Sequence, residues 1–271
     1  NPYARPMSEN QVSSRATGAA QAPGPPFAIF REDRPAVMVI SHERSGTHFL
    51  MNSIAKGFGY TARPWVDLDH HHLPINFFSP PSIAAALEFL ANQRIASVVK
   101  SHHAANFFDG VLDSVLNRFV IFYIHRDPVD VMLSFWRFIH GWQWHEGPKR
   151  DDPAAFAAAE PEGQLMRYQT HQRRNMLDRW GKHVVGWQEA ARGRPRLRLV
   201  PYAALKDDYA ATISSFADLL GRQPADLMPP SRDVDVIRGR EVRGLQPPDV
   251  EALRSLALRE VGDAMQILGY A

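Results

Sequence analysis

Short, largely apolar runs that end in polar residues constrain the fold of this chain more than any other feature. Three of them lie at 36–40, 96–100 and 119–124. A strand that is buried on both faces of a parallel sheet reads as such a run, not as an alternation of apolar and polar residues. Helical patterns lie between the runs, and strands that alternate with helices are joined by parallel crossovers. The sequence therefore predicts an α/β fold with three layers and a doubly wound, mostly parallel sheet.

One domain accounts for most of the chain. The 271 residues are 45% hydrophobic and 22% charged, which is ordinary for a globular protein. Residues 1–33 are rich in Ser, Ala, Gly, Pro and Gln, so we expect a flexible tail there and a single domain over 34–271. The remaining expected elements are a long loop or lid over 140–164, helices over 165–191, 209–220 and 249–268, and a short strand over 196–201.

Charge and residue content exclude several classes of function. The net charge is +2 without a Lys/Arg tract, which favours a small anionic ligand over a nucleic-acid partner. The absence of cysteine excludes disulfides, thiolate metal sites and a cysteine nucleophile. No segment reaches the ~18 consecutive apolar residues of a membrane span, and the N-terminal segment lacks the layout of a signal peptide. We therefore expect a cytoplasmic protein without an integral membrane segment.

The polar segment at 41–48 follows the first run and precedes a helix. It reads Ser-His-Glu-Arg-Ser-Gly-Thr-His. Free N–H groups at a helix N-terminus favour a phosphate, Gly46 lets the backbone come close, and Arg44 can bind two oxygens at once. Ser45 and Thr47 add hydroxyl donors. The segment lacks the first Gly and the Gly-Lys-Ser/Thr ending of a Walker loop, so a capped strand-to-helix connection is the alternative.

A second polar segment follows the third run. Arg126 leaves the strand end, Asp127 and Pro128 begin a helix, and Ser134 lies further along it. A guanidinium that folds along this helix can meet the Ser134 hydroxyl around one phosphate. The alternative is that Arg126 pairs with Asp127 or Asp130 at the start of the helix.

The second run ends in two histidines, His102 and His103, which follow Lys100 and Ser101. We expect both rings to face the crevice outside the carboxyl ends of the strands, where ligands bind in such folds. Histidine takes up a proton near neutral pH, which suits the activation of a hydroxyl nucleophile. Because the chain has 12 histidines, a solvated histidine is the alternative.

In this order, the three segments resemble the sulfotransferase family that uses 3'-phosphoadenosine 5'-phosphosulfate (PAPS). The family's Pro-Lys-Ser-Gly-Thr-Thr-Trp loop is similar to 43–49. Its Arg-Asn-Pro-x-Asp-x-x-x-Ser stretch is similar to 126–134, and its Lys-Thr-His stretch to 100–102. A Tyr-Glu-Asp-Leu-Lys element matches 202–206, and an Arg-Lys-Gly-x-x-Gly loop is loosely similar to 237–244. The resemblance spans residues 36–270 and implies a P-loop-like phosphate site.

This resemblance implies roles for the matching residues. Two groups would hold the two ends of the donor: Arg44, Ser45, Gly46, Thr47 and His48 the 5'-phosphosulfate, and Arg126, Ser134, Arg238 and Arg240 the 3'-phosphate. Arg44 stands where the family has a catalytic lysine. Tyr202 would lie near the adenine, and His102 would be the general base on the acceptor. PAPS would be the cosubstrate, and no metal is expected because this donor carries no γ-phosphate.

The resemblance implies that the acceptor is a hydroxyl or an amine of a small molecule, a glycan or a lipid. Phe107, Phe108, Trp142 and Trp144 fall in polar loops near the expected entrance and would suit a flat or apolar acceptor, whereas core packing is the alternative. The histidines at 70–72 can line the acceptor pocket. They are poor candidates for a metal site, because neighbouring side chains of an extended chain point to opposite faces.

Two other functions stay open from the sequence. One is an ATP-dependent small-molecule kinase of similar topology, which would need Mg²⁺ and the Walker lysine that the first loop lacks. The other is a nucleotide-binding protein without catalytic activity. The sequence does not indicate the oligomeric state.

Overall fold

The computed structural model of the protein describes residues 27–68, 79–141, 145–231, 244 and 246–271. The strands in these ranges are β1 (Ala36–Ser41), β2 (Thr61–Asp67), β3 (Ser97–Ser101), β4 (Phe119–His125) and β5 (Leu197–Pro201). The helices are α1 (Thr47–Phe58), α2 (Pro80–Asn92), α3 (Leu112–Leu116), α4 (Pro128–Gly141), α5 (Pro153–Ala158), α6 (Met176–Ala191), α7 (Tyr202–Asp207), α8 (Tyr209–Ser214), α9 (Ala217–Leu220) and α10 (Pro247–Ile267). Two 3-10 helices span Ala105–Phe108 and Gly163–Tyr168.

The five described strands form one parallel sheet in the order β2-β3-β1-β4-β5. β1 lies at the centre, where Met38 is beside Val99 of β3 and Ile121 of β4. Every residue of β1 and of β4 is buried, as strands covered on both faces require. The predicted α/β fold with a doubly wound parallel sheet is confirmed.

Alternate residues of the strands face opposite sides of the sheet, and each side carries its own apolar core. Met38 and Ile40 of β1 pack on the side of α2, α4, α6 and α10. Val37 and Val39 pack on the side of α1 and α8. The period of two along the strand therefore produces the three layers that the sequence predicts.

The sequence does not indicate β2, because this strand lies at the edge of the sheet. Only Ala62 and Val66 of β2 are buried, so it lacks the continuous apolar run of the inner strands. It also contains Pro64, which has no N–H to donate and is tolerated at a sheet edge. Pairing with the inner strand β3, at Val66 beside Val99, fixes this segment as a strand.

The helix predicted over 165–191 is wrong in its first part. A 3-10 helix ends at Tyr168, and α6 begins only at Met176. Asn175 determines this start, because its side-chain oxygen accepts a hydrogen bond from the N–H of Asp178 over 2.7 Å. Such a capping residue has extended backbone geometry, so the helix cannot continue through it.

Two further predicted segments differ from the structure. The expected loop over 140–164 contains α5, which begins where the side chain of Asp152 accepts a hydrogen bond from Ala155 N over 2.8 Å. The helix expected over 209–220 is divided into α8 and α9. The expected strand at 196–201 corresponds to β5, and the expected last helix corresponds to α10.

The folded part begins before the predicted boundary at residue 34. Phe27 is buried, and Ala28 N donates a hydrogen bond to Ser97 Oγ over 2.8 Å. The carbonyl of Ala28 in turn accepts a hydrogen bond from Ala96 N. Residues 1–26 of the expected tail lie outside the described residues. No helix in the described part of the chain is long and apolar enough to cross a membrane.

Candidate active site

The connection from β1 to α1 is a tight loop whose backbone approaches a tyrosine ring. Gly46 has a φ of 102°, and a Cβ at this position would lie 2.4 Å from Cδ2 of Tyr202. Arg44 also has a positive φ, 67°. Helix α1 begins at Thr47, so its first N–H groups face this loop. A helix N-terminus behind such a loop favours an anion, and the close approach to Tyr202 leaves little space for side chains.

The hydroxyl groups of this loop point inward. Thr47 Oγ1 is hydrogen-bonded to Ser41 Oγ over 2.7 Å, which closes the loop at its base. The Oγ atom of Ser45 is buried and has no hydrogen-bond partner among the residues that the structure describes. Main-chain N–H groups are therefore the donors that this loop presents most directly, and binding by the two hydroxyls stays a prediction.

The connection from β4 to α4 lies beside the first loop. β1 and β4 are paired from Ala36 with Phe119 to Ser41 with Ile124, so their carboxyl ends meet at one edge of the sheet. Arg44 Nε donates a hydrogen bond to Ser134 Oγ of α4 over 3.2 Å. The two polar segments that the sequence singles out therefore form one site.

Two guanidinium groups converge at this place. The Arg44 guanidinium also lies 4.8 Å from the centre of the Phe138 ring. Burial and the nearby charge of Arg126 lower the pKa of Arg44. Like charges repel each other, so an anion that binds near both guanidinium groups would be stabilised by both.

Arg126 makes the ion pair that the sequence leaves open as an alternative. Its Nη2 and Nε atoms lie 3.0 Å and 3.2 Å from Oδ2 of Asp130. The pair is exposed, with 52% of the Asp130 side chain accessible, so it stabilises the fold by only ~0–1 kcal/mol. The same guanidinium lies 4.6 Å from the centre of the Tyr202 ring. Tyr202 thus contacts both corners, at Gly46 and at Arg126.

His102 is fixed by one of its two ring nitrogens. Its Nδ1 atom lies 3.0 Å from the carbonyl oxygen of Ser41. A carbonyl oxygen can only accept, so in the neutral ring Nδ1 carries the hydrogen and Nε2 carries the lone pair. Burial and the charge of Lys100 lower the pKa of His102 to about 3. The ring is therefore neutral near pH 7 and its Nε2 can accept a proton, but a pKa this low makes it a weak base until the charges around it change.

A second histidine, His183, forms a hydrogen bond with the backbone of His102. His183 Nε2 lies 3.0 Å from the carbonyl oxygen of His102, and His183 Nδ1 lies 2.8 Å from the hydroxyl of Tyr123. The same reasoning places the hydrogen on Nε2 of His183, so the hydroxyl of Tyr123 donates to Nδ1. This chain fixes the backbone of the residue that carries the candidate base.

His103 does not share the crevice with His102, contrary to the expectation from the sequence. Its side chain is buried, with Nδ1 2.9 Å from Ser101 Oγ and the ring centre 4.6 Å from that of Phe107. Phe107 and Phe108 are also part of the core, so they do not line an acceptor entrance. Successive residues of an extended chain point to opposite sides, which is why one histidine points to the site and the next to the core.

Lys100 is a further cation of the site, and no role is predicted for it from the sequence. Its Nζ lies 2.8 Å from Oδ1 of Asp67, and its charge lowers the pKa of His102. Burial and Lys100 also lower the pKa of His48 to about 4, and the His48 ring lies 5.0 Å from that of Trp65. Its position near the end of β3, two residues before His102, is the signal that could have identified it.

Several predicted residues lie outside the described residues. These are Arg238, Arg240, Trp142, Trp144 and the histidines at 70–72. Within the described ranges, no group of three or more His, Asp or Glu side chains is arranged to hold a metal ion.

The fold and the site define an α/β protein with two arginines, Arg44 and Arg126, where two neighbouring parallel strands end. A family model described as "Sulfotransferase domain" matches residues 34–237, which is more than half of the chain. The chain belongs to the sulfotransferase family, and it is an enzyme that transfers a sulfuryl group. No curated protein sequence matches it.

Two solved structures share the fold at low sequence identity. Mouse sulfotransferase SULT7A1, solved in complex with PAP, superimposes with a TM-score of 0.53 at 15% identity, over 88% of this chain and 89% of its own. The sulfotransferase domain of the Synechococcus PCC 7002 olefin synthase gives a TM-score of 0.52 at 14% identity, over 90% and 98%. At this identity the likeness establishes the common fold.

Proposed function

We propose that this enzyme transfers the sulfuryl group of PAPS to a hydroxyl or an amine, with His102 as general base. The observation that supports this proposal most directly is the hydrogen bond from Arg44 to Ser134. It joins the loop proposed for the 5'-phosphosulfate to the helix proposed for the 3'-phosphate. Mouse SULT7A1, which shares the fold, was solved in complex with PAP. PAP is the nucleotide that would remain after PAPS has given up its sulfuryl group.

The nucleotide would lie across the two corners. Arg126 and Ser134 would bind the 3'-phosphate, and the loop from Arg44 to His48 would bind the 5' end. Tyr202 would contact the adenine side of the nucleotide, and the position of its ring against both Gly46 and Arg126 supports this. Assistance from Arg238 and Arg240 stays a prediction.

Arg44 can serve both ends of the nucleotide. A guanidinium carries five N–H donors, and one of them binds Ser134. The family has a lysine here, which is a point charge, whereas the planar guanidinium can bridge two oxyanions. Arg44 would therefore help to hold the 3'-phosphate and neutralise charge on the oxygen that bridges phosphorus and sulfur.

In the reaction, the acceptor oxygen or nitrogen forms a bond to sulfur while the bond from sulfur to the bridging oxygen breaks. His102 Nε2 would take the acceptor proton, and 3'-phosphoadenosine 5'-phosphate (PAP) would leave with the negative charge. By analogy with phosphoryl transfer, the transition state is loose, so positioned cations and helix N–H groups supply most of the stabilisation. An anionic donor beside Lys100 would raise the pKa of His102 and strengthen the base.

The test is calorimetry followed by a transfer assay. We expect PAP to bind more tightly than ATP with Mg²⁺, and labelled sulfate to appear on at least one acceptor in a panel of small alcohols, amines, glycans and lipids. Tighter binding of ATP would favour a kinase. PAP binding without transfer to any acceptor would favour a non-catalytic protein. The cytoplasmic location expected from the sequence stays a prediction.

His102 is tested by substitution. His102→Ala should lower turnover by roughly 10²–10⁴-fold and leave the PAP dissociation constant nearly unchanged. His171→Ala is the matched control, because His171 is exposed. Equal losses of turnover and of PAP affinity in His102→Ala would mean that the ring is structural and not the base.

A further inference from the structure

Arg179 of α6 lies beneath the β1–α1 loop, and all five of its guanidinium N–H groups have acceptors. Nη1 lies 2.8 Å from Glu43 Oε2 and 2.7 Å from His42 Nε2. Nη2 lies 2.7 Å from Glu43 Oε1 and 3.4 Å from the carbonyl oxygen of Leu165. Nε lies 3.0 Å from Gln169 Oε1. Arg179 therefore forms an ion pair with both carboxylate oxygens of Glu43 and three further hydrogen bonds, to His42, Leu165 and Gln169.

This ion pair is buried. Only 2% of the Arg179 side chain and 12% of the Glu43 side chain are accessible. Burial opposes ionisation of Glu43, yet the guanidinium holds the pKa of its carboxyl well below the usual range. A buried ion pair recovers its desolvation cost only with such complete hydrogen bonding, and apolar residues often stabilise a fold equally well. Stability alone therefore gives no reason for a charged pair at this place.

His42 is part of the same unit. Burial and Arg179 lower the pKa of His42 to about 3, so the ring is neutral. Its Nε2 accepts from Arg179, which leaves the hydrogen on Nδ1, 3.0 Å from the carbonyl oxygen of Glu43. Both the side chain and the main chain of Glu43 are thus held, directly or through His42, by Arg179.

The residue that follows Glu43 is the one with the unusual backbone. Arg44 has a φ of 67°, a region that a non-glycine residue occupies only where its surroundings enforce it. On its other side, Gly46 and the hydrogen bond between Ser41 and Thr47 define the loop. On the N-terminal side of Arg44, the neighbouring residue Glu43 is held in place by Arg179. We propose that Arg179 is a positioning residue, which acts through Glu43 and His42 to set the conformation of the donor-binding loop.

The guanidinium of Arg179 also contacts the segment that carries Leu165 and Gln169. Leu165 and Gln169 flank Tyr168, whose ring lies 5.4 Å from that of His102. Arg179 therefore connects the donor loop with the segment beside the candidate base. The inference rests on the proposed function, because it assigns the loop to the donor.

The experiment compares donor binding with stability. In the double variant Glu43→Leu/Arg179→Met, the charges are replaced by apolar groups of similar size, so the protein should fold. We expect its affinity for PAP, measured by calorimetry well below the unfolding temperature, to fall by at least about tenfold. The control is Arg194→Lys. Arg194 makes a similar two-pronged pair with Asp113, over 2.6 Å and 3.2 Å, but this pair is exposed and the partners of Arg194, which are Asp113 and the carbonyl of Ala190, are not part of the loop. This variant should leave PAP affinity unchanged.

Arg179→Lys is the second variant, because lysine keeps the charge but not the fork. We expect a folded protein with weaker PAP binding and a higher donor KM. If either variant folds and binds PAP as tightly as the parent, the positioning role is wrong. If neither folds, the pair serves folding itself and the proposal is likewise overturned. If the parent chain binds no PAP, the proposed function fails first, and this inference fails with it.

Discussion

Arg44 Nε donates a hydrogen bond to Ser134 Oγ over 3.2 Å, although the two residues are 90 positions apart in the chain. The contact exists because β1 and β4 are neighbours in the sheet and both corners therefore open at one edge. It makes the orientation of the first loop's cation dependent on a hydroxyl of the second corner. The two segments proposed to bind the nucleotide phosphates are thus one structural unit.

We expect Ser134→Ala to weaken PAP binding. The variant removes a hydroxyl that both orients Arg44 and lies where the 3'-phosphate is proposed to bind. Hydrogen bonds to charged groups contribute about 1.5–3 kcal/mol, which corresponds to roughly 10–100-fold in the dissociation constant. Calorimetry with PAP measures this change. Ser215→Ala is the control, because that hydroxyl is exposed and donates only to the backbone of its own helix turn, at Thr212. Similar affinities for the two variants would remove Ser134 from the site.

Asp130→Asn should have the opposite effect. Asp130 occupies the guanidinium of Arg126 and would compete with a phosphate for it. The exposed pair is worth only ~0–1 kcal/mol, so the gain in PAP affinity should be at most about fivefold and should shrink at high salt. Asp113→Asn, which makes the same change of charge in another exposed pair, should show no gain. Weaker binding by Asp130→Asn would mean that the carboxylate positions Arg126 for the ligand.

Gly46→Ala tests the tight approach of the loop to Tyr202. The added Cβ would meet the Tyr202 ring at 2.4 Å, whereas at Gly193, which also has a positive φ, it meets nothing within 4 Å. Both variants pay about 1–2 kcal/mol for the left-handed backbone, as thermal unfolding should show. Only Gly46→Ala should also lose PAP binding, by at least about tenfold. Equal PAP affinities in the two variants would show that the spacing between loop and ring is unimportant.

The inner strands could be predicted because burial on both faces leaves a direct record in the sequence. β1 and β4 are fully buried, and their apolar runs have the expected position and length. β2 lies at the edge, so its composition is mixed and no pattern marks it. The start of α6 depends on one capping contact of Asn175, which a pattern of apolar residues does not indicate.

The positions of Arg44 and Arg126 at one edge of the sheet could be predicted, because both follow the carboxyl ends of inner strands. Their role in binding an anion stays a prediction. The ion pairs around the site could not be predicted. Glu43 and Arg179 are 136 residues apart, and Lys100 and Asp67 are 33 apart. Such pairs arise from the packing of separate elements, and nothing in the local sequence of either partner indicates the other.

The buried histidines should make the protein sensitive to acid. Burial is the main cause that lowers the pKa values of His42, His102 and His183, each to about 3. Between that value and the ordinary 6.5, the unfolded chain binds protons that the folded protein does not. Stability is therefore complete above about pH 6.5 and is lost as the pH falls, by up to about 1.4 kcal/mol per pH unit for each histidine.

Between about pH 7.5 and 5.5, this corresponds to a few kcal/mol of the free energy of unfolding, which urea titrations at several pH values would measure. Glu43 adds to the loss only below its ordinary pKa of 4.5, so the histidines dominate the upper range. Burial also lowers the pKa values of His48 and His125, each to about 4, so five histidines contribute to the slope. His183→Gln, whose amide can still donate to the carbonyl of His102, should therefore reduce the slope by about one fifth. A free energy of unfolding that stays constant from pH 7.5 to 5.5 would show that these rings accept protons in the folded state, and the neutral form assigned to His102 would then be wrong.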